Sequence, residues 1–212
     1  LVEKPMATSL PQLVVSDTVK ALGQLGWMNR RRFGGRIVAI TGSNGKTTVK
    51  EMIAAILGGI GTVCRTEGNL NNHLGVPLSL LRLTADDRFG VFELGANHAG
   101  EIAQNVRLVE PDVAVLINAG DAHLEGFGSR QGIADAKGEI IGGLAEGGTA
   151  VLNRDSPFFA QWSRLAGLRR ILSFGLQESA DVRATDVQCH LDRCEFTLHL
   201  QGRVRAVRLP MA

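Results

Sequence analysis

The segment Val38–Met52 reads VAITGSNGKTTVKEM, and its interpretation decides the fold and function assigned to the rest of the chain. It leads from a strand-like run, RIVAIT, through the turn GSNGK into a helix-like run, KTTVKEMIAAIL. The usual phosphate-binding loop has the spacing G-x-x-x-x-G-K-[ST], which would put a glycine at Ile40. The order of strand, loop and helix nevertheless favours a nucleotide-binding loop of shortened form over a simple glycine-rich turn.

The loop places phosphate-binding groups at the start of a helix. Ligands of open α/β sheets bind outside the carboxyl ends of the strands, where free backbone N–H groups and the helix dipole favour anions. Lys46 can reach the outer phosphates of a nucleotide, and the Thr47 hydroxyl can hold Mg²⁺. A dinucleotide fingerprint is excluded, because the glycines of GGIGT (58–62) end a helix rather than begin one. The predicted phosphate contacts are Gly42, Ser43, Asn44, Gly45, Lys46, Thr47 and Thr48.

Length and composition indicate one α/β domain of ordinary character. The chain has 212 residues, of which 44% are hydrophobic and 21% charged, as in soluble globular proteins. The net charge of +2 neither supports nor excludes nucleic acid. The one basic cluster, Arg30–Arg32, is interpreted as a solvated helix end, so no nucleic-acid partner is predicted.

The cysteines and the apolar runs predict a cytoplasmic protein without a membrane partner. Cys64, Cys189 and Cys194 are odd in number and lack metal-ligand spacing, so we expect no disulfide framework and a reducing compartment. No apolar run approaches the roughly 20 residues that cross a bilayer. The opening LVEKPMATSLPQ is not built like a signal peptide.

Short apolar runs alternate with helical patterns from Arg36 onward, which is typical of βαβ units. We therefore predict an α/β fold with a mostly parallel P-loop-type sheet flanked by helices. Beyond Asp181, alternating stretches with a turn at Gln201–Gly202 predict a small antiparallel β addition at the C-terminal end. The predicted parallel strands are RIVAIT (36–41), GTVCRT (61–66), FGVFEL (89–94), DVAVLIN (112–118), GTAVLN (148–153) and RRILSF (169–174).

Two predicted helices show apolar stripes at the helical period. The first begins after Ser16 or Asp17 and is a connecting element rather than a domain. Its stripe consists of Val19, Leu22, Leu25 and Met28. The second follows the phosphate loop and ends at Gly58 and Gly59. Its stripe consists of Val49, Met52, Ile53, Ile56 and Leu57.

Polar groups at other strand ends are candidates for the same site. Glu93 ends FGVFEL and has the placement of a metal-binding acid, although strand ends often carry an exposed glutamate. His123 follows DVAVLIN and is a candidate for metal or phosphate, although a lone loop histidine is more often structural.

Lys137 stands on an otherwise apolar helical face with Ile133, Ile140, Ile141 and Leu144. A lysine there must reach out to solvent, pair with an acid or lose its charge. A neutral amine can react with carbon dioxide, and the resulting carbamate can bind a metal. Of these three alternatives, helical periodicity alone favours the first, in which the Lys137 ammonium group reaches solvent.

Asparagines mark two further loops. Asn69, Asn71 and Asn72 follow a strand end and offer donors and acceptors at the same rim, with an asparagine-rich turn as the equal alternative. Asn153 and Asp155 also follow a strand, where a structural turn is favoured.

Five motifs together resemble the central domain of the Mur ligases of peptidoglycan synthesis. They are AITGSNGKTTVKEM (39–52), GNLNNHLGVPLSLL (68–81), ELGANHAGEI (93–102), NAGDAHLEGFGS (118–129) and AKGEI (136–140). The first is shared by all Mur ligases and by folylpolyglutamate-type ligases, and in both families the loop has the short form T-G-[ST]-x-G-K-[ST]. GNLNN, ELGAN and AHLEGFGS are more specific and favour the members that add a dipeptide.

The resemblance implies roles for individual residues. Lys46 contacts the β- and γ-phosphates of ATP, Thr47 and Glu93 hold one Mg²⁺, and His123 helps to hold a second. Lys137 matches the carbamylated lysine of the family, a further metal ligand. The implied catalytic residues are Lys46, Glu93, His123 and Lys137. The remaining binding candidates are Asn153 for the nucleotide and Asn69, Asn71 and Asn72 for the substrate.

The same resemblance implies a domain organisation and a reaction. Residues 1–35 are expected to be the tail of an N-terminal UDP-sugar-binding domain with a connecting helix, and residues 36–212 the central ATP-binding domain, without the C-terminal domain. The reaction is ATP-dependent amide formation between UDP-N-acetylmuramoyl-tripeptide and D-alanyl-D-alanine. The alternatives are a folylpolyglutamate-type ligase and a nucleotide-binding module without catalysis. We expect this chain alone to be monomeric and inactive in ligation.

Overall fold

The computed structural model describes residues 1–120 and 124–210. Within them a single nine-stranded sheet organises the chain. Its strands are β1 (Arg36–Thr41), β2 (Val63–Arg65), β3 (Phe89–Glu93), β4 (Val113–Leu116), β5 (Thr149–Asn153), β6 (Arg170–Gly175), β7 (Val182–Cys189), β8 (Arg193–Leu200) and β9 (Arg203–Pro210). Their order across the sheet is β2-β3-β1-β4-β5-β6-β7-β8-β9.

The strands from β2 to β6 in this order are all parallel, so the predicted α/β fold is confirmed. β1 lies between β3 and β4, with Ile40 opposite Glu93 and Thr41 opposite Leu116. The carboxyl ends of these strands therefore meet at one side, called here the carboxyl edge. Ligands of such sheets bind where the strand order reverses, which is the end of β1.

Seven helices among the described residues cover the sheet unequally. They are α1 (Thr18–Arg32), α2 (Lys46–Gly58), α3 (Gly75–Leu80), α4 (Glu101–Val109), α5 (Leu124–Phe127), α6 (Arg130–Gly142) and α7 (Phe159–Ala166). One face carries the larger core, which includes Ile102 of α4, Ile140 of α6 and Trp162 of α7. No helix in the described ranges is long and apolar enough to cross a membrane.

The opposite face of the sheet is covered by α2 through a smaller core around Ala54. Beside α2 an apolar groove of about 480 Å³ runs over β4, β5 and β6, with Val115, Val151 and Leu172 among its lining residues. Parallel sheets usually have both faces covered. Part of this second face of the sheet is not covered by any helix of the described residues and is accessible to solvent.

Both predicted helices form, but their apolar stripes are only partly buried. In α1 the buried residues are Ala21, Gly23 and Gly26, and a Cβ at Gly26 would lie 2.9 Å from Pro77 Cα. This close approach to α3 turns Val19, Leu25 and Met28 toward solvent. In α2, Met52 and Ile56 are exposed in the same way.

Two smaller expectations were wrong. Arg30 is not solvated like its neighbours, because it is half-buried and donates from Nε to Val109 O (2.7 Å) and from Nη2 to Glu110 O (2.8 Å) at the end of α4.

The antiparallel addition β7–β9 is confirmed, with its turn at Gln201–Gly202. Its register sets Cys189 opposite Cys194, and the two form a disulfide, whereas sequence reasoning expected none.

Candidate nucleotide-binding site

The loop between β1 and α2 leaves the start of α2 open. Gly45 occupies the N-cap position with φ 80°, a left-handed conformation that glycine adopts without strain. Helices α1 and α6 are capped by the side chains of Asp17 and Ser129, whereas α2 has no side-chain cap. The backbone N–H groups of its first turn therefore point toward the carboxyl edge without an intrahelical acceptor. This is the arrangement that binds phosphate at a helix N-terminus.

Lys46 lies folded over this loop. Its Nζ donates to Gly42 O (3.0 Å) and to Ser43 O (3.3 Å), so the ammonium group is held above the turn. Both acceptors are neutral carbonyl groups. An anion in the loop would therefore compete for a cation that is already positioned.

Glu93, Thr47 and Asn71 meet at the end of β3. The Thr47 hydroxyl donates to Glu93 Oε2 (2.9 Å), and Asn71 Nδ2 donates to Glu93 Oε1 (2.8 Å). Glu93 is only 2% exposed. Three distant segments predicted as site candidates are thus brought together around one carboxylate.

The motifs GNLNN and ELGAN contact each other directly through these residues. Gly95 N donates to Asn71 O (2.9 Å), and a Cβ at Gly95 would lie 2.8 Å from Asn71 Oδ1. Glycine at position 95 therefore permits the approach that places Asn71 on Glu93. The two motifs form one structural unit.

The chemistry of this cluster fits a magnesium ion. Glu93 forms no ion pair with any of the described residues, and both of its recorded side-chain partners are neutral. A buried carboxylate without a compensating cation is costly, and carboxylate and hydroxyl oxygens are the ligands Mg²⁺ prefers. Residues 1–120 and 124–210 contain no cluster of three or more His, Cys, Asp or Glu that could hold a metal. His123, another predicted ligand, lies outside the described residues.

Lys137 is buried within α6 at the same edge. It is 1% exposed, so the expectation that it reaches solvent was wrong. Its Nζ lies 5.5 Å from the centre of the Phe127 ring, and among the described residues it forms no ion pair. Burial, and to a smaller extent the charge of Lys46, lowers the pKa of Lys137 to about 8, while Glu101 and Glu139 oppose this shift. The neutral amine is therefore a minor form at physiological pH, but a far larger fraction than in an ordinary lysine.

The remaining asparagine candidates have structural contacts of different kinds. Asn72 Oδ1 accepts from Leu74 N (3.1 Å) and Gly75 N (2.8 Å), so this side chain supports the start of α3. Asn69 is exposed at the rim of the same loop. Asn153 Nδ2 donates to Ile117 O (2.9 Å), and its Oδ1 accepts from Asp155 N (2.9 Å). Both Asn153 contacts brace the ends of β4 and β5.

Sequence reasoning missed three residues that build the site. Asn118 is bonded to the phosphate loop, with Oδ1 2.9 Å from Ser43 N. Lys50, 1% exposed, donates from Nζ to Thr66 O (2.9 Å), and the Thr66 hydroxyl accepts from Glu93 N (3.0 Å). Asn118 was visible as a polar residue at a strand end. Nothing in the periodicity of α2 distinguished Lys50 from an exposed lysine.

Fold and site together define a P-loop nucleotide-binding domain that presents an open helix N-terminus, a lysine and a buried carboxylate at one edge. The family model described as Mur ligase middle domain matches residues 40–212. The chain belongs to this family.

Individual relatives show which members of the family this chain resembles. The chain is 46% identical over all 212 residues to the UDP-N-acetylmuramoyl-tripeptide–D-alanyl-D-alanine ligase of Escherichia coli K12 and covers 47% of that protein. Its structure resembles MurF from Acinetobacter baumannii, with TM-score 0.94 and 43% identity, over 99% of this chain and 46% of the other. It resembles MurF from Thermotoga maritima in complex with ADP, with TM-score 0.87 and 33% identity, over 97% and 48% of the chains.

The chain thus spans about half the length of the relatives it matches. A more distant likeness is to L. casei FPGS, with TM-score 0.66 and 17% identity over 96% of this chain and 60% of the other. At that identity the likeness concerns the fold alone.

Proposed function

We propose that this chain is the ATP-binding middle domain of a ligase that joins D-alanyl-D-alanine to UDP-N-acetylmuramoyl-tripeptide. The observation that carries the proposal is the buried Glu93 carboxylate, held by Thr47 and Asn71 beside the phosphate loop. The relative from E. coli is named for this reaction, and the T. maritima relative is a complex with ADP. Residues 1–35 would link the domain to an N-terminal UDP-sugar-binding domain, and the working compartment would be the cytoplasm.

In the proposed reaction the terminal carboxylate of the tripeptide attacks the γ-phosphate of ATP, and the bond to the bridging oxygen breaks so that ADP leaves. The acyl phosphate so formed is then attacked by the amine of the dipeptide, which displaces phosphate and loses a proton. The task of the protein is to bring anions together and to stabilise the developing charge. Lys46 would neutralise the outer phosphates, and the N–H groups of α2 would bind their oxygens.

Bound Mg²⁺ would shield the phosphate charge further. Thr47 and Glu93 would hold one ion, and His123 and a carbamate at Lys137 are proposed as additional ligands. The carbamate would form when the neutral amine of Lys137 attacks carbon dioxide, creating an N–C bond and releasing one proton. The buried position and lowered pKa of Lys137 support this modification. A carbonyl signal that appears at Lys137 with 13C-labelled bicarbonate and is absent from Lys137→Arg would test it.

A chimaera tests the reaction. The matching segment of the E. coli ligase is replaced by this chain, and ligation is measured with UDP-N-acetylmuramoyl-tripeptide and D-alanyl-D-alanine. We expect product with these substrates, none from folate and glutamate, and none from the Lys46→Met chimaera. Activity on folate alone would support the folylpolyglutamate alternative. The isolated chain is expected to bind Mg·ATP without ligation, and ligation by these residues alone would contradict this part of the proposal.

A further inference from the structure

Asn118 contacts the phosphate loop with both ends of its side-chain amide. It stands two residues beyond β4, beside the end of β1. Its Oδ1 accepts from Ser43 N (2.9 Å) and from Asn44 N (3.1 Å). Its Nδ2 donates to Asn44 O (3.2 Å). One side chain therefore satisfies two donors and one acceptor of the loop backbone.

The backbone around Asn118 strengthens the attachment. Ser43 N also lies 3.2 Å from Asn118 O. Gly120 N donates to Ser43 Oγ (3.0 Å), and the same hydroxyl donates to Gly120 O (3.3 Å). Segment 118–120 and the loop are thus joined by hydrogen bonds at Ser43 and Asn44.

Close packing fixes the distance between the two segments. A Cβ at Gly42 would lie 3.1 Å from Ile117 Cβ and 3.4 Å from Asn118 Oδ1, so a larger residue would press on Asn118. Asn153 holds the preceding carbonyl, Ile117 O, at 2.9 Å. The position of Asn118 is therefore set from both sides.

These contacts divide the N–H groups of the loop into two sets. Those of Ser43 and Asn44 are bound to Asn118, whereas α2 begins at Lys46 without a side-chain cap. We propose that Asn118 is a positioning residue for nucleotide binding. It occupies the first two donors and holds the loop so that the later donors, from the start of α2, converge on the phosphates. The inference rests on the proposed function, because the anion it invokes is the triphosphate of ATP.

A loop held in its binding shape before the ligand arrives loses less conformational freedom on binding. Removing the Asn118 amide should release Asn44 N, leave Ser43 N only its bond to Asn118 O, and weaken nucleotide affinity even where the fold survives. A purely structural asparagine would change stability without a matching change in affinity. Asn29 offers that comparison, since its Nδ2 donates to Leu80 O (2.8 Å) and Leu83 O (2.9 Å) at the end of α3, away from the loop.

The test compares Asn118→Leu, Asn118→Asp and Asn29→Leu with the parent chain. Mg·ATP and inorganic triphosphate affinities are measured by calorimetry, amide hydrogen exchange by NMR, and stability by thermal unfolding. In Asn118→Leu we expect affinity for both ligands to fall about 10-fold or more, with faster exchange at Ser43 and Asn44. Asn29→Leu should lose stability and keep its affinity. Asn118→Asp keeps the acceptor Oδ1 and loses the Nδ2 donor to Asn44 O, so amide protection should persist while the added negative charge weakens triphosphate binding.

The inference would be overturned if the affinity of Asn118→Leu for Mg·ATP were within 2-fold of that of the parent. So would a loss of affinity in Asn29→Leu equal to that in Asn118→Leu at the same loss of stability. If Asn118→Leu does not fold, Asn118→Asp decides, because unprotected Ser43 and Asn44 amides in that variant would contradict the role of Oδ1. Failure of the parent itself to bind Mg·ATP would count against the proposed function instead.

Discussion

The Thr47 hydroxyl lies 2.9 Å from Glu93 Oε2, so the first turn of α2 is tied to the end of β3 by a hydrogen bond to a carboxylate. Thr47 is exposed and Glu93 is buried, which places this bond at the boundary between solvent and core. A cation that enters from solvent meets the hydroxyl and the carboxylate together. Substitution of either residue of this pair should therefore change the Mg²⁺ dependence of nucleotide binding more than substitution elsewhere in the site.

Thr47→Val removes the hydroxyl and keeps the branched shape. Affinity for ADP in the presence of Mg²⁺ should fall about 10-fold or more, as for other losses around metal ligands, while affinity without Mg²⁺ should change little. Calorimetry with and without Mg²⁺ measures both. Thr47→Ser, which keeps the hydroxyl, is the control, and an equal loss in both variants would show that the methyl group matters rather than the oxygen.

Lys46→Met should abolish nucleotide binding with little effect on folding. The Lys46 ammonium contacts only the neutral Gly42 and Ser43 carbonyls within the described residues, so its loss breaks no ion pair there. We expect the thermal midpoint to stay near that of the parent and Mg·ATP binding to become undetectable. Lys4→Met, at an exposed position away from the loop in sequence, is the control. Binding by Lys46→Met within a few-fold of the parent would refute the phosphate-loop assignment.

Lys137 should make stability depend on alkaline pH. Its pKa of about 8 in the folded chain lies below the ordinary 10.5, so between these values the unfolded chain binds more protons and stability rises with pH. The buried charge thus destabilises the fold below pH 8, and this cost disappears toward pH 10.5. In buffer free of carbon dioxide, Lys137→Met should be more stable than the parent at neutral pH, by on the order of 3 kcal/mol at most.

Urea unfolding of both proteins between pH 7 and about 10 measures this difference. The advantage of Lys137→Met should shrink as pH rises through the window set by the two pKa values. The charged groups that act on Lys137 are Lys46, Glu101 and Glu139, so Glu139→Gln should lower its pKa and widen the window. A difference that stays constant with pH would contradict the lowered pKa.

Lys50→Met should weaken both the fold and the metal site. Lys50 is 1% exposed and donates to Thr66 O, and Thr66 in turn accepts from Glu93 N. Loss of the ammonium leaves a buried carbonyl unpaired, at about 1–3 kcal/mol, and also removes the ion pair with Glu51. Thermal unfolding should show this cost, and Mg·ADP affinity should fall because the end of β3 is less well held. An unchanged affinity in a destabilised variant would limit Lys50 to a structural role.

The sheet was predictable because its pattern is local. Apolar runs between helical periods marked the six strands β1 to β6, and the turn at Gln201–Gly202 marked the change to antiparallel pairing. The order of the strands was not predictable from such patterns, since it depends on contacts between distant segments. The buried face of α1 was also misjudged, because the close approach at Gly26 replaced the larger apolar residues as the packing surface.

The site was predictable as a set of residue types but not as a network. Strand ends identified Glu93 and the asparagine loop, and the structure joins Glu93 to Asn71 and Thr47. The sequence did not indicate which asparagine would contact Glu93. In the structure Asn71 makes this contact, whereas Asn72 supports α3. The contribution of Asn118 depends on the distance between two loops, which no periodicity encodes.

The position of β1 between β3 and β4 also sets when the site can form during synthesis. The phosphate loop leaves the ribosome before either neighbour of β1, since both follow it by tens of residues. Until they arrive, β1 has two unpaired edges and Thr47 lacks its carboxylate partner. ATP would therefore bind chains in which β1 is already paired with β3 and β4, and by mass action would stabilise that state over earlier intermediates.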